Sequence, residues 1–205
     1  MALSNTSHHV KLRKPPHPTR PGIQPARSLC IPHRSRQVFW QGHHPRKAPR
    51  KMDSYDNKLM GFNVVYTTSA FPVSLNDDID IKTHDELSAT GNLGLANKNG
   101  TVCRIVDFGP GFDCMMHRTQ SLAYGIVLDG SIELVLDSGD RQLMHRGDVA
   151  VQRSTMHAWY NPSKTEWAHM PFVLQDCETL VLDGHKLKED LGRAAKDLPP
   201  SGNDD

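Results

Sequence analysis

From residue 101 to 108 the chain reads Thr-Val-Cys-Arg-Ile-Val-Asp-Phe, with Val102, Arg104 and Val106 falling on one face at a period of two. That alternation predicts a strand with one side turned to a core. Residues 61–69, Gly-Phe-Asn-Val-Val-Tyr-Thr-Thr-Ser, are rich in β-branched and aromatic side chains and predict another. Further short strands are expected at 124–128, 132–136, 141–145, 148–153, 157–160 and 167–175, punctuated by Asp129-Gly130, Ser138-Gly139, Arg146-Gly147 and Asn161-Pro162-Ser163. Asp129-Gly130 between two apolar runs is a strong hairpin signal. Residues 74–99 are polar and turn-rich and predict a loop with an irregular edge strand. Only 183–196, with Leu187 and Leu191 four apart, predicts a helix, lying outside the strands. Short strands at this spacing make an all-β sandwich or barrel.

Composition divides the chain in two. Residues 1–51 hold eleven Lys and Arg and no Asp or Glu, which leaves 13 basic against 23 acidic residues beyond, a net charge of −10. The same segment carries eight prolines and six of the twelve histidines. Proline at that density blocks helix formation, and the few apolar side chains cannot offset the entropy of ordering, so 1–51 is expected to be a disordered basic extension. It is read as dispensable, with Met52 as an alternative start; an organelle-targeting segment and a nonspecific phosphate-binding arm are the other readings. A β domain then spans 52–182, and a helix and tail span 183–205.

No run of eighteen apolar residues exists, so no membrane helix is expected. Cys30, Cys103, Cys114 and Cys177 form no CxxC pair and follow no apolar leader, which points to reduced thiols in a cytoplasmic protein. No glycine-rich phosphate loop opens a helix, so no nucleotide cofactor is expected, and nothing suggests a specific nucleic-acid partner.

The chemistry gathers at 117–123. In a strand, His117, Thr119, Ser121 and Ala123 share a face, and an inward row of polar groups needs partners or a ligand. Some forty residues on, Gly147-Asp-Val-Ala-Val-Gln-Arg-Ser-Thr-Met-His157 offers a second imidazole after a second glycine turn.

These two stretches resemble the cupins. Gly111-x5-His117-x-Thr119-x3-Ala123-x6-Gly130 fits the first cupin motif, G-x5-H-x-H-x3-E-x6-G. Gly147 through His157-x3-Asn161 fits the second, one residue short before the histidine. The resemblance covers about 60–75 residues and implies a small antiparallel jelly-roll barrel. A cupin metal is held by His, His and Glu of the first motif and His of the second. Here His117 and His157 match, while Thr119 and Ala123 replace the other two. The implied site is therefore a weak, incomplete one for a divalent ion such as iron, manganese or zinc, with His145, His169 or Gln152 as candidate third ligands. More narrowly, HRTQS followed by Tyr-Gly-Ile-Val-Leu, and GDVAVQRSTMHAW, resemble short fungal cupin proteins encoded beside polyketide synthases, including those of salicylaldehyde-type pathways. Many of that group carry Asp where Ala123 stands.

That resemblance implies an oxidoreductase acting on a small polyketide-derived, aromatic intermediate. His117 and His157 are then the catalytic or metal-binding pair, with Thr119, Ser121, Tyr124, Gln152 and Trp159 as substrate-binding candidates. Each also has a structural reading as a core or backbone-bonded side chain. A neutral imidazole pair could instead transfer protons without metal, as in an isomerase, dehydratase or decarboxylase. A third reading is a noncatalytic cupin that binds a small ligand or forms a homodimer through its sheet edges.

Overall fold

The computed structural model describes residues 59–203 in full and, before them, the strand backbones of 37–41, 44–48 and 53–55. Within the segment expected to be disordered, β1 (Gln37–Gln41) and β2 (His44–Ala48) pair antiparallel as a sheet of their own. The rest of that expectation lies outside the described residues.

Six strands form the larger sheet: β3 (Asp53–Tyr55), β4 (Met60–Thr67), β5 (Thr101–Phe108), β6 (Ser121–Ile126), β9 (Val149–Arg153) and β11 (Ala168–Asp176). Their order is β3-β4-β5-β11-β6-β9. The smaller sheet runs β10-β7-β8, from β7 (Ser131–Leu136), β8 (Arg141–His145) and β10 (His157–Tyr160). The non-strand stretch before β6 extends it, since Asp113 bridges Tyr160 and His117 bridges His157. The apolar rows of both sheets meet in one core that includes Val106, Phe108, Ile132, Trp159, Met170 and Phe172. This is the expected all-β jelly roll, and the alternation of β5 is borne out with Val102, Arg104, Val106 and Phe108 all buried.

Three expectations need correction. The Asp129-Gly130 turn is not a hairpin: β6 pairs with β9 and β11, while β7 pairs with β8 and β10, so the turn carries the chain from one sheet to the other. Gly130 is needed there because its φ is +74° and a Cβ would stand 2.4 Å from the Trp167 carbonyl oxygen.

Residues 183–196 are not one helix. Asp183 and Gly184, both at positive φ, turn β12 (Leu180–Leu182) back onto β13 (His185–Leu187), and only Gly192–Lys196 winds, as a single 3-10 segment. Leu191 faces the core instead of stacking on Leu187.

Conversely, α1 (Ile79–Thr90) forms in the polar stretch expected to be loop. It has no apolar stripe to announce it. It is held from outside by the Tyr66 hydroxyl on Asp80, by the Thr67 N–H on Nδ1 of His84 at 3.2 Å, and by the Tyr66 and His84 rings 4.7 Å apart.

Candidate functional site

His157 opens β10, and the turn before it fixes where it lands. After β9, Ser154 adopts a left-handed backbone, φ 53°, and its N–H bonds the Ser121 carbonyl at 3.0 Å. The chain thereby swings from the large sheet to the small one, where His157 and His117 exchange both backbone hydrogen bonds, at 2.8 and 2.9 Å. The rings lie side by side on one wall, centroids 4.4 Å apart and planes at 46°. They do not face each other across the barrel. Trp159, two residues on, sets its ring edge-on to His157 at 5.6 Å and packs against Phe172 at 5.4 Å.

Each imidazole is tied through the same nitrogen. Nδ1 of His117 lies 3.0 Å from the Met115 carbonyl, and Nδ1 of His157 lies 2.8 Å from the Thr155 carbonyl. A carbonyl only accepts, so Nδ1 carries the proton in both rings and the neutral form leaves a lone pair on Nε2. Neither Nε2 has a protein hydrogen-bond partner among the described residues. Burial lowers the pKa of His117 below the ordinary imidazole value. Burial, and then the neighbouring His117, push His157 down to about 3. At neutral pH the site therefore presents two uncharged acceptors.

These rings line a chamber between the sheets with a cavity volume of about 60 Å³. Aromatic and aliphatic side chains, among them Phe62, Phe108, Trp159 and Phe172, make most of its wall. Thr119, Gln152, His117, His157 and Arg104 supply the polar part. Thr119 and Ser121 bond each other through their hydroxyls at 2.7 Å, so Ser121 is buried behind Thr119 and does not line the space. Gln152 stands directly opposite Ala123 in the β6–β9 register, beside the room that the short alanine side chain leaves. Tyr124 is on the outer face of β6, 38% exposed, because its parity is opposite to that of Ala123; it is not in contact with the chamber.

Arg104 is the lining residue that the motif comparison missed. It projects inward from β5, 5% exposed, donates to the carbonyls of Gly94 at 2.7 Å and Leu95 at 2.9 Å, and sits 5.7 Å from the Phe62 ring centre. Its place between Val102 and Val106 on the buried face of an alternating strand was the available signal. Met115, Leu95 and Leu198 also line the chamber, and nothing in their local sequence marks them.

The donors around the chamber do not match the divalent ion that cupins hold. Two neutral imidazoles face the chamber, Ala123 offers no carboxylate, Thr119 is engaged with Ser121, and Gln152, the one candidate third ligand in the wall, offers only a neutral amide oxygen. His169 lies on the outer side of β11 against Asp107, and His145 is exposed at the end of β8, so neither reaches the space. No group of three His, Cys, Asp or Glu suited to a metal occurs among the described residues. The one lining group charged at neutral pH is the Arg104 guanidinium, which repels a cation. Tight catalytic zinc or iron sites take three protein ligands, and this donor set does not fit one.

No family model matches the chain. Among curated proteins it is similar to "Phomopsin biosynthesis cluster protein C'" of Diaporthe leptostromiformis, 44% identical over 142 residues, which is 69% of this chain and 75% of that protein. It is also similar to "Cupin-domain-containing oxidoreductase fogC" of Aspergillus ruber, 42% identical over 137 residues, 66% of each chain. Among solved structures it is similar to a Cupin 2 conserved barrel domain protein from Salinispora arenicola, 28% identical with a TM-score of 0.35, covering 38% of this chain and 64% of the other. With the jelly roll and both motif histidines in place, the similarity to the curated proteins makes the chain a member of the cupin-domain proteins of fungal biosynthesis clusters.

Proposed function

We propose that this protein is an oxidoreductase of fungal secondary metabolism that takes a small, polyketide-derived aromatic intermediate into the chamber beside His117 and His157. The observation that carries this reading is the pair of neutral imidazoles, each locked through Nδ1 and each left with an open Nε2, in a mostly apolar space. The names of the curated relatives support the reaction class. A ligand hydroxyl donates to one Nε2, which takes up the hydroxyl proton and returns it, so the ring serves as the proton carrier of the reaction. Gln152 and Arg104 bond a neighbouring oxygen, Thr119 orients the hydroxyl, and Phe62, Trp159 and Phe172 stack on the ring and exclude water. The protein works in the cytoplasm, alone or as a homodimer. No helix among the described residues is long and apolar enough to cross a membrane.

A second reading is favoured by the donor set itself. Two proton acceptors without a carboxylate suit a metal-free isomerase, dehydratase or decarboxylase that moves a proton at the same two nitrogens. Both readings put the chemistry on the histidine pair, and a noncatalytic binding protein does not. The test is to introduce His117→Ala and His157→Ala singly in the native host and to follow the cluster's metabolites by mass spectrometry. Each variant is expected to cut product by about a hundredfold or more, the size of a lost general acid–base group, with an accumulated precursor that differs from the product by two hydrogens. A precursor of the same mass as the product or differing by water or carbon dioxide selects the second reading. Unchanged metabolites from folded variants would refute both.

A further inference from the structure

The chamber is too small for the ligand class just proposed. A cavity of roughly 150 Å³ is the size that takes up benzene, and this one measures about 60 Å³. Part of its wall must move before an aromatic ring enters. The lining side chains of β4, β5, β6 and β11 stand on strands paired on both sides, which hold their backbone in place. Leu198 is different. It follows the 3-10 segment, belongs to no strand, and begins a terminal run with Pro199-Pro200.

Leu198 also occupies the right place. It lines the chamber and also an adjoining cavity of about 400 Å³ bounded by Arg193, Lys196 and Asp197. Met60, Phe62 and Met115 line both spaces as well, so the two adjoin along an apolar rim.

The run beyond Leu198 is pinned by side-chain hydrogen bonds rather than by a sheet. Ser201 donates to Glu189 through its N–H at 2.9 Å and through its hydroxyl at 2.5 Å, and its hydroxyl oxygen accepts the Ala96 N–H at 3.0 Å. Asn203 bonds the Gln120 carbonyl at 2.8 Å and Asp176 at 2.6 Å, and Gln120 returns a bond to the Asn203 carbonyl at 2.5 Å. Gln120 sits between Thr119 and Ser121, so the terminal run is fastened to the stretch that carries His117 and Thr119. Gly94 completes the fit, because a Cβ there would stand 2.6 Å from the Ser201 Cα.

We propose that Leu198, held by the Ser201 and Asn203 anchors, closes the mouth of the chamber and sets the size of ligand that reaches His117 and His157. This rests on reading the chamber as the ligand site. The experiment reports access alone and does not depend on turnover.

The full chain is treated with diethyl pyrocarbonate at pH 7, and carbethoxylation of each histidine is followed over time by peptide mass spectrometry. Leu198→Ala and the double variant Ser201→Ala/Asn203→Ala are each expected to speed labelling of His117 and His157 tenfold or more. Leu198→Trp is expected to slow it. His84, buried on α1 and part of neither cavity's wall, should keep its wild-type rate in every variant. Unchanged labelling of the pair overturns the proposal. An equal acceleration at His84 also overturns it, because the run would then be holding the whole fold and not the mouth. A closed chamber without a catalytic role would show in the labelling and leave the metabolites of the histidine variants unchanged.

Discussion

At the scale of single residues, the site depends on where two protons sit. Both imidazoles spend Nδ1–H on a carbonyl two residues back in the chain, and that local bond orients the ring and fixes its tautomer at once. Burial then keeps both rings neutral. The stability consequence has a definite sign. Unfolded, each imidazole binds a proton below its ordinary value near 6.5, while in the folded chain both resist that proton to lower pH, His157 down to about 3. In that window the unfolded state binds more protons, so stability rises with pH and is lost on acidification, by up to about 1.4 kcal/mol per pH unit for each such group. Urea unfolding at pH 7 and pH 4.5 should show His157→Gln losing less stability between the two than the wild type. Equal losses would mean that the buried histidine is not a source of the acid sensitivity.

At the scale of elements, the turns decide which strand joins which sheet. Gly139, at φ +89°, closes the β7–β8 hairpin into open space, whereas Gly130 crosses between sheets pressed against the backbone of Trp167 and Ala168. Alanine at Gly139 meets only the left-handed backbone, a cost of about 1–2 kcal/mol. At Gly130 the same methyl also forces backbone apart, so Gly130→Ala should lose a further 1–3 kcal/mol or so, the scale of overpacking. Denaturation midpoints of the two variants measure the difference. The two Asp-Gly turns carry a lesson about reading sequence. Asp183-Gly184 is the hairpin, and Asp129-Gly130 is the crossover, although the dipeptide is the same. Even the local bend differs, with Asp183 at positive φ and Asp129 not; the partner that each strand finds depends on core faces brought together from far along the chain. Helix α1 makes the same point from the other side. Its sequence has no apolar stripe, and Tyr66 and Thr67 on β4 recruit it through polar contacts.

At the scale of the whole molecule, the two ends of the chain are expected to matter differently. The strands β1 and β2 pair only with each other, while β3, which begins at Asp53, is part of the large sheet. A chain starting at Met52 keeps every strand of both large sheets, and its melting temperature should match that of the full chain within about 2 °C. A larger drop would show that the basic segment supports the barrel after all. The C-terminal run, short and unremarkable in composition, instead supplies buried anchors at Ser201 and Asn203 and a chamber wall at Leu198.

The sequence by itself determined the class of fold and the two residues at its centre. Period-two alternation is written in consecutive side chains, and the glycine and histidine spacings of the two motifs survive in the chain even where Thr119 and Ala123 depart from them. His117, Thr119, Gln152 and Trp159 were legible for that reason, since each follows from strand parity near a motif. Tyr124 was misplaced by one step of the same parity. Tertiary structure alone decided that the imidazoles stand side by side with matched tautomers, that Ser121 serves Thr119, that Arg104 shares their space, and that Leu198 covers it. Those facts depend on contacts between residues as much as a hundred positions apart, and no local pattern of side chains encodes a distance in space.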